Sequence, residues 1–171
     1  MPRMTFEQRL FSKININTGD PDACWMWAGA KNSYGYGHIW GGAHTPAGNP
    51  RPVKAYRAVY EIYNGPIAPG KHLDHICHVR ACVNPEHLRE VTNKENHENR
   101  AGAQRNSRSG VRGVSWNAQH GKWRVQVVHS GRKHFGGYFD DLGEAAEAAR
   151  ALRNRLYTHN DGDRADGEAA A

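Results

Sequence analysis

Hydrophobic and polar positions change their period several times along the chain, and each change marks an element. Phe6, Leu10 and Phe11 are the apolar positions behind Thr5, and Gln8 follows Thr5 at capping-box spacing, which predicts a short helix from Thr5 to about Ser12. The run Cys24-Trp25-Met26-Trp27 and the glycine-rich residues 34–40 read as two strands and a turn. Residues 41–52, rich in Gly, Pro, Thr and Asn, read as a mobile loop. Val53, Tyr56, Val59, Tyr60 and Tyr63 return to helical spacing until Gly65-Pro66 and Pro69-Gly70 end the helix.

A stretch of small and basic residues without periodicity, 100–110, separates this half from a second pattern. Residues 111–116, 122–128 and 132–139 alternate and are divided by turn residues at 117–121 and Ser130-Gly131, which predicts a three-stranded meander. In the second strand Trp123, Val125 and Val127 share an inner face, and Phe135 is expected inside from the third, as are Trp116 and Trp123. Leu142, Ala145, Ala146, Ala149, Leu152 and Leu156 mark one face of a helix opened by Asp141, with Glu144 three residues on. The expected organisation is an N-terminal domain over 1–100, a basic linker over 101–108, a sheet-and-helix domain over 109–158 and a disordered tail over 159–171.

Composition narrows the class. With 171 residues and 38% hydrophobic content the chain suits one or two small domains and excludes a large α/β barrel. It has no apolar run of 18 residues, and its first thirty lack a signal-peptide core, so a soluble, cytoplasmic protein with no membrane partner is expected. The formal charge of +6 is uneven: about +3 over 1–100, +6 over 101–158 and −3 over 159–171. Basic charge concentrated in the middle segment points to a polyanion, because each neutralised phosphate releases counterions.

Metal and acid/base chemistry is concentrated between His72 and Asn96. Cys77 and Cys82 are five apart and His87 is five beyond; one further ligand would close a tetrahedral zinc site, and Cys24 is the remaining cysteine. That reading leaves Asp74, His75 and Asn96 unemployed. The runs Leu73-Asp74-His75-Ile76-Cys77, Cys82-Val83-Asn84-Pro85-Glu86-His87-Leu88 and Val91-Thr92-Asn93-Lys94-Glu95-Asn96 together resemble an HNH (ββα-metal) nuclease motif in a form similar to the His-Cys box homing endonucleases. Residues 5–100 share this resemblance, which includes the aromatic and glycine-rich leader and Tyr56-Arg57.

The resemblance implies an α+β fold and a metal-dependent DNA endonuclease of homing or phage type. It places His75 as general base, and Asp74 and Asn96 as ligands of a divalent Mg²⁺ or Mn²⁺. It implies a structural Zn²⁺ on Cys24, Cys77, Cys82 and His87, the last replacing the usual orienting Asn. Arg57 falls where similar proteins carry a His-Arg pair, to contact the scissile phosphate or to pair with Glu61 one turn on. Phage-infected or bacterial cytoplasm is the implied location.

In the second half, Val111-Arg112-Gly113-Val114, Gly121-Lys122-Trp123, Phe135-Gly136-Gly137-Tyr138-Phe139 and the Ala-rich helix resemble an AP2 (ERF-type) DNA-binding domain over 109–158. Its likeness implies that Arg112, Lys122, Arg124, Gln126, Arg132 and His134 meet double-stranded DNA. A monomer that nicks is the expected form, since a single HNH site cuts one strand and no dimerisation helix is evident. The alternative is a zinc-stabilised DNA-binding regulator that does not cut.

Overall fold

The computed structural model describes residues 4–41, 51–100 and 102–168, a mixed α+β chain with small sheets. Most of the loop expected over 41–52, at 42–50, lies outside the described residues. Two compact units meet between Val91 and Thr92, upstream of the basic stretch at 101–108 where composition places the linker.

The first unit begins with α1 (Phe6–Phe11), whose Thr5 and Gln8 form the expected reciprocal capping box. Short antiparallel pairs follow. β1 (Ile14–Asn15) pairs with β2 (Met26–Trp27), and β3 (His38–Trp40) pairs with β4 (Pro52–Lys54). Each aromatic run thus supplies a strand, with a turn between them, but the two strands pair with β1 and β4 while the chain between them wraps the Trp27 ring. Trp27 is 1% exposed, its indole N–H donates to the Ala30 carbonyl at 2.9 Å, and Gly29 and Gly37 press against its ring where a Cβ would clash. Val53 lies in β4, so the predicted helix is two residues shorter at its start, as α2 (Ala55–Asn64). The core gathers Leu10, Trp27, Ile39, Val59, Leu73, Val83 and Leu88. The unit closes with the hairpin β5 (His72–His75) and β6 (Leu88–Val91), in which His72 faces Val91 and Asp74 faces Arg89.

The second unit opens with α3 (Asn93–Glu98), capped by Thr92 and Glu95. The expected meander is present as β7 (Val114–Asn117), β8 (Lys122–His129) and β9 (Arg132–Phe139), with α4 (Leu142–Leu156) packed on one face. Val114, Val125, Val127, Ala145, Ala149 and Leu152 form its core. A bulge breaks the alternation of β9: Val125 pairs with Gly137 and Gln126 with Phe135, leaving Gly136 as the extra residue. Phe135 is consequently turned outward and is 58% exposed, against the expectation that it sits inside. Trp116 is also a correction: it is 53% exposed at the sheet edge, edge-on to half-buried Trp123.

Gly136 makes the bulge possible, since a Cβ there would lie 2.5 Å from Val125 Cγ1 and 3.1 Å from Leu152 Cδ2. Gly136→Ala is expected to destabilise this unit by about 1–3 kcal/mol through overpacking, read as a lower urea midpoint at unchanged slope. A wild-type midpoint would mean that the sheet accommodates the methyl.

The tail expected to be disordered carries α5 (Asp161–Glu168). Polar anchors, not apolar burial, fasten it. Arg153, 5% exposed, donates to both Asp163 oxygens at 2.6 and 2.9 Å. Arg164 reaches the Tyr157 carbonyl, and the Asp161 N–H donates to Asn99 Oδ1. Among the described residues no helix is long and apolar enough to cross a membrane.

Candidate active site and metal centre

Cys24 comes from the loop before β2, Cys77 and Cys82 from the loop after β5, and His87 from a single 3-10 turn, Pro85–His87. Main-chain bonds gather them. Trp27 N–H donates to the Ala81 carbonyl and Val83 N–H to the Trp25 carbonyl, which lays the Cys24 segment along the Cys82 segment. Asn84 caps the turn through Glu86 N–H, and its amide donates to the Ala23 carbonyl at 3.0 Å. Asn84 thus holds two of the ligand-bearing segments together.

The four ligand atoms lie within 4.8 Å of one another. His87 Nδ1 is 3.4 Å from Cys24 Sγ and 3.5 Å from Cys82 Sγ. A tetrahedron with zinc–sulfur and zinc–nitrogen bonds near 2.3 and 2.0–2.1 Å has an S···N edge of about 3.6 Å. The Cys3His group therefore fits zinc, in the closed set typical of a structural site. The thiols share their protons unequally: a hydrogen bond from Cys82 pulls Cys77 down to about 5, and the same bond pushes Cys82 up.

Cys82 also faces the imidazole of His75. Its carbonyl lies 3.1 Å from His75 Nε2; a carbonyl only accepts, so Nε2 carries the proton and Nδ1 keeps its lone pair. The ring is 8% exposed and packs against Tyr56, with centroids 4.9 Å apart, and Tyr36, 5.8 Å away. Burial holds this imidazole below its ordinary range, which keeps it neutral at pH 7. It has the protonation state a base requires.

Asp74, next along β5, is buried, and Arg89 Nε and a terminal nitrogen donate to its Oδ2 at 3.3 and 3.1 Å. Sequence reading missed Arg89. The signal was the hairpin register, which sets Arg89 directly opposite Asp74. Arg57 pairs with Glu61 at 3.7 Å along α2, the helical-turn alternative for it.

Asn96 stands half-buried on α3 in the second unit. That helix is fastened to the sheet-and-helix module. Glu98, 5% exposed, accepts from the Thr158 N–H and hydroxyl, both at 3.1 Å, and pairs with Lys94 at 2.7 Å. Arg112 donates to the carbonyls of His97, Glu98 and Arg100 at 2.8–3.0 Å and covers the Tyr157 ring. Arg112 is thereby engaged in capping α3, and it lines one groove with Arg124 and Gln126.

Burial would raise the Glu98 carboxyl, but bonds from Lys94 and Thr158 outweigh it and hold the group below the ordinary carboxylate range. A group depressed in the folded state stabilises it above the unfolded value of 4.5, and that contribution fades as pH falls through the lower folded value. Thermal melts between pH 3 and 7 should therefore show an acid loss in the wild type that Glu98→Gln lacks, with the variant less stable at pH 7. Parallel curves would contradict this role.

The remaining surface candidates divide by face. Arg124 and Gln126 lie on the sheet face away from α4, and Lys122 does too but pairs with Asp140 at 2.8 Å. Arg132 and His134 stand opposite His129 and Val127, on the α4 side, because the bulge shifts the parity of β9. This corrects their expected place on the outer face. Lys133, Phe135 and Tyr138 take the outer positions instead, opposite Val128, Gln126 and Arg124.

Residues 53–98 match a protein-family model described as HNH endonuclease. In Escherichia phage T7, Protein 2.8 is 31% identical over 93 residues, 54% of this chain and 58% of that protein. From the same phage, Protein 7.7 is 37% identical over 75 residues, 44% of this chain and 52% of the relative, and Protein 3.8 is 36% identical over 76, 44% and 62%. The chain thus spans about half to three-fifths of the length of these curated relatives. No solved structure matches it. The family-model match takes in β5, β6 and α3, and with them Asp74, His75 and Asn96.

Proposed function

We propose that the chain is a DNA endonuclease of the HNH type, in which His75 activates the attacking water. The observation that carries this reading is His75 itself: within the segment matching the HNH endonuclease model, it is buried, neutral and tautomer-fixed with Nδ1 as acceptor. Nδ1 takes the proton of a water as that water attacks phosphorus, and the Cys82 carbonyl steadies the imidazolium that results. A zinc held by Cys24, Cys77, Cys82 and His87 would act through structure, by fixing the loop that supplies that carbonyl.

Asp74 and Asn96 offer one carboxylate and one amide oxygen, a donor set suited to a hard cation. When bound, Mg²⁺ or Mn²⁺ supplies positive charge to the pentavalent transition state and the leaving oxygen. Arg89 orients the Asp74 carboxylate through two donations to Oδ2. The AP2-like module over 109–158 positions the chain on double-stranded DNA, with Arg124 and Gln126 on its outer face. A monomeric nickase is the form this reading favours.

Incubating the purified full chain with supercoiled and linear duplex DNA in Mg²⁺ or Mn²⁺ tests the reading. Nicked or cut product that needs the divalent ion is expected. No product over a wide substrate panel would refute it.

A further inference from the structure

We infer that Lys54 and the Tyr56 hydroxyl form a phosphate-binding pair beside His75, taking a DNA phosphodiester at or next to the scissile bond. Lys54 Nζ is 3.3 Å from Tyr56 Oη. An ammonium only donates, so the phenol oxygen accepts and its own proton is left to point elsewhere. Nζ also sits 5.7 Å from the ring centroids of both Tyr36 and Tyr56, the two rings that pack on His75. Arg80 covers Tyr36 at 5.9 Å and anchors on the Tyr34 carbonyl.

Two cations are thus held over the aromatic wall of a buried imidazole. Neither has a carboxylate partner among the described residues. Aromatic faces fix the position of a cation without neutralising it, so the charge remains for an external anion. A second tension points the same way. Lys54 occupies the N-cap of α2, whose first turn has no acidic residue and no side-chain cap, so a cation stands at the positive end of the helix dipole. An anion resting on Nζ relieves that repulsion.

Lys54 also lines a groove of about 640 Å³ with Arg51, Arg57, Glu7 and Glu61, of which Glu61 pairs with Arg57. A bound phosphate oxygen would then accept from Nζ and from the Tyr56 O–H together.

This assignment rests on the nuclease reading for the identity of the phosphate, but binding tests it separately. Equilibrium binding of a duplex to the full chain carrying His75→Ala is measured across a salt series, with and without Lys54→Met. The expected result is uniformly weaker binding over different sequences and a log K against log[salt] slope smaller by about one. Lys54→Arg should restore the slope, which a purely structural role would not predict. Tyr56→Phe keeps the ring against His75 and removes only the hydroxyl. In the active chain it should slow single-turnover cleavage by about 10²-fold, the scale for one lost transition-state donor, with little change in binding.

An unchanged slope in a folded Lys54→Met chain overturns the inference whether or not the protein cuts. If Lys54→Met fails to fold, an unchanged slope in Lys54→Gln, or wild-type cleavage by Tyr56→Phe, does the same. If the wild type cuts no DNA yet the slope falls as stated, the nuclease reading fails and the phosphate pair stands.

Discussion

Cys82→Ser should leave the first unit without a cooperative melt and the protein without its zinc. Cys82 is fully buried and its sulfur accepts from the Asn84 N–H, so serine is close to isosteric and packing changes little. The metal is what the substitution removes. Apparent binding free energies of structural zinc sites at neutral pH are about 10–16 kcal/mol, comparable to or larger than the whole stability of a small domain. Residues 1–91 have a small core and strands of two to four residues, so they have little stability to spare. Metal analysis of the purified wild type and melting with a strong chelator complete the test. Absence of zinc together with a chelator-insensitive melt would sink the structural assignment.

Replacing His75 by Ala should lower cleavage by about 10²–10⁴-fold while DNA binding persists. The imidazole is the one group in the described site with a fixed free lone pair, a neutral resting state and a carbonyl to stabilise its charged form. Because its ring also packs on Tyr36 and Tyr56, some loss of stability accompanies the change, and melting must accompany the rates. A variant that is folded, binds DNA and cuts at the wild-type rate would remove His75 from the reaction.

Local rules made part of this molecule legible from its sequence. The α1 and α3 capping boxes, the Asp141 cap of α4 and the inner face of β8 depend on residues within four positions of one another, and all are present. The Cys3His group was legible because thiols and imidazole at such spacing have few other uses, although Cys24 joins from more than fifty residues away. Pairing of β1 to β4 was not legible, since strands of two or three residues have no period to read. In β9 the Gly136 bulge reversed which side chains face out, and alternation alone carries no mark of a bulge beyond the glycine pair. The roles of Arg89, Arg112 and Arg153 were hidden for another reason. A guanidinium that satisfies a buried carboxylate or a row of carbonyls has the same one-letter code as one that waits for DNA.

The fastening of α3 to the C-terminal module sets where this protein can be divided. The small, basic residues 101–108 invite a cut between the two halves of the chain. A chimera joined there would strip Glu98 of Thr158, and the carbonyls of residues 97, 98 and 100 of Arg112, leaving Asn96 on a helix without its supports. An exchange of the module therefore has to carry α3 along with it, joined at Val91/Thr92. Inheritance faces the same constraint: a recombination event that traded only the sheet-and-helix module would leave the helix bearing Asn96 without the groups that hold it.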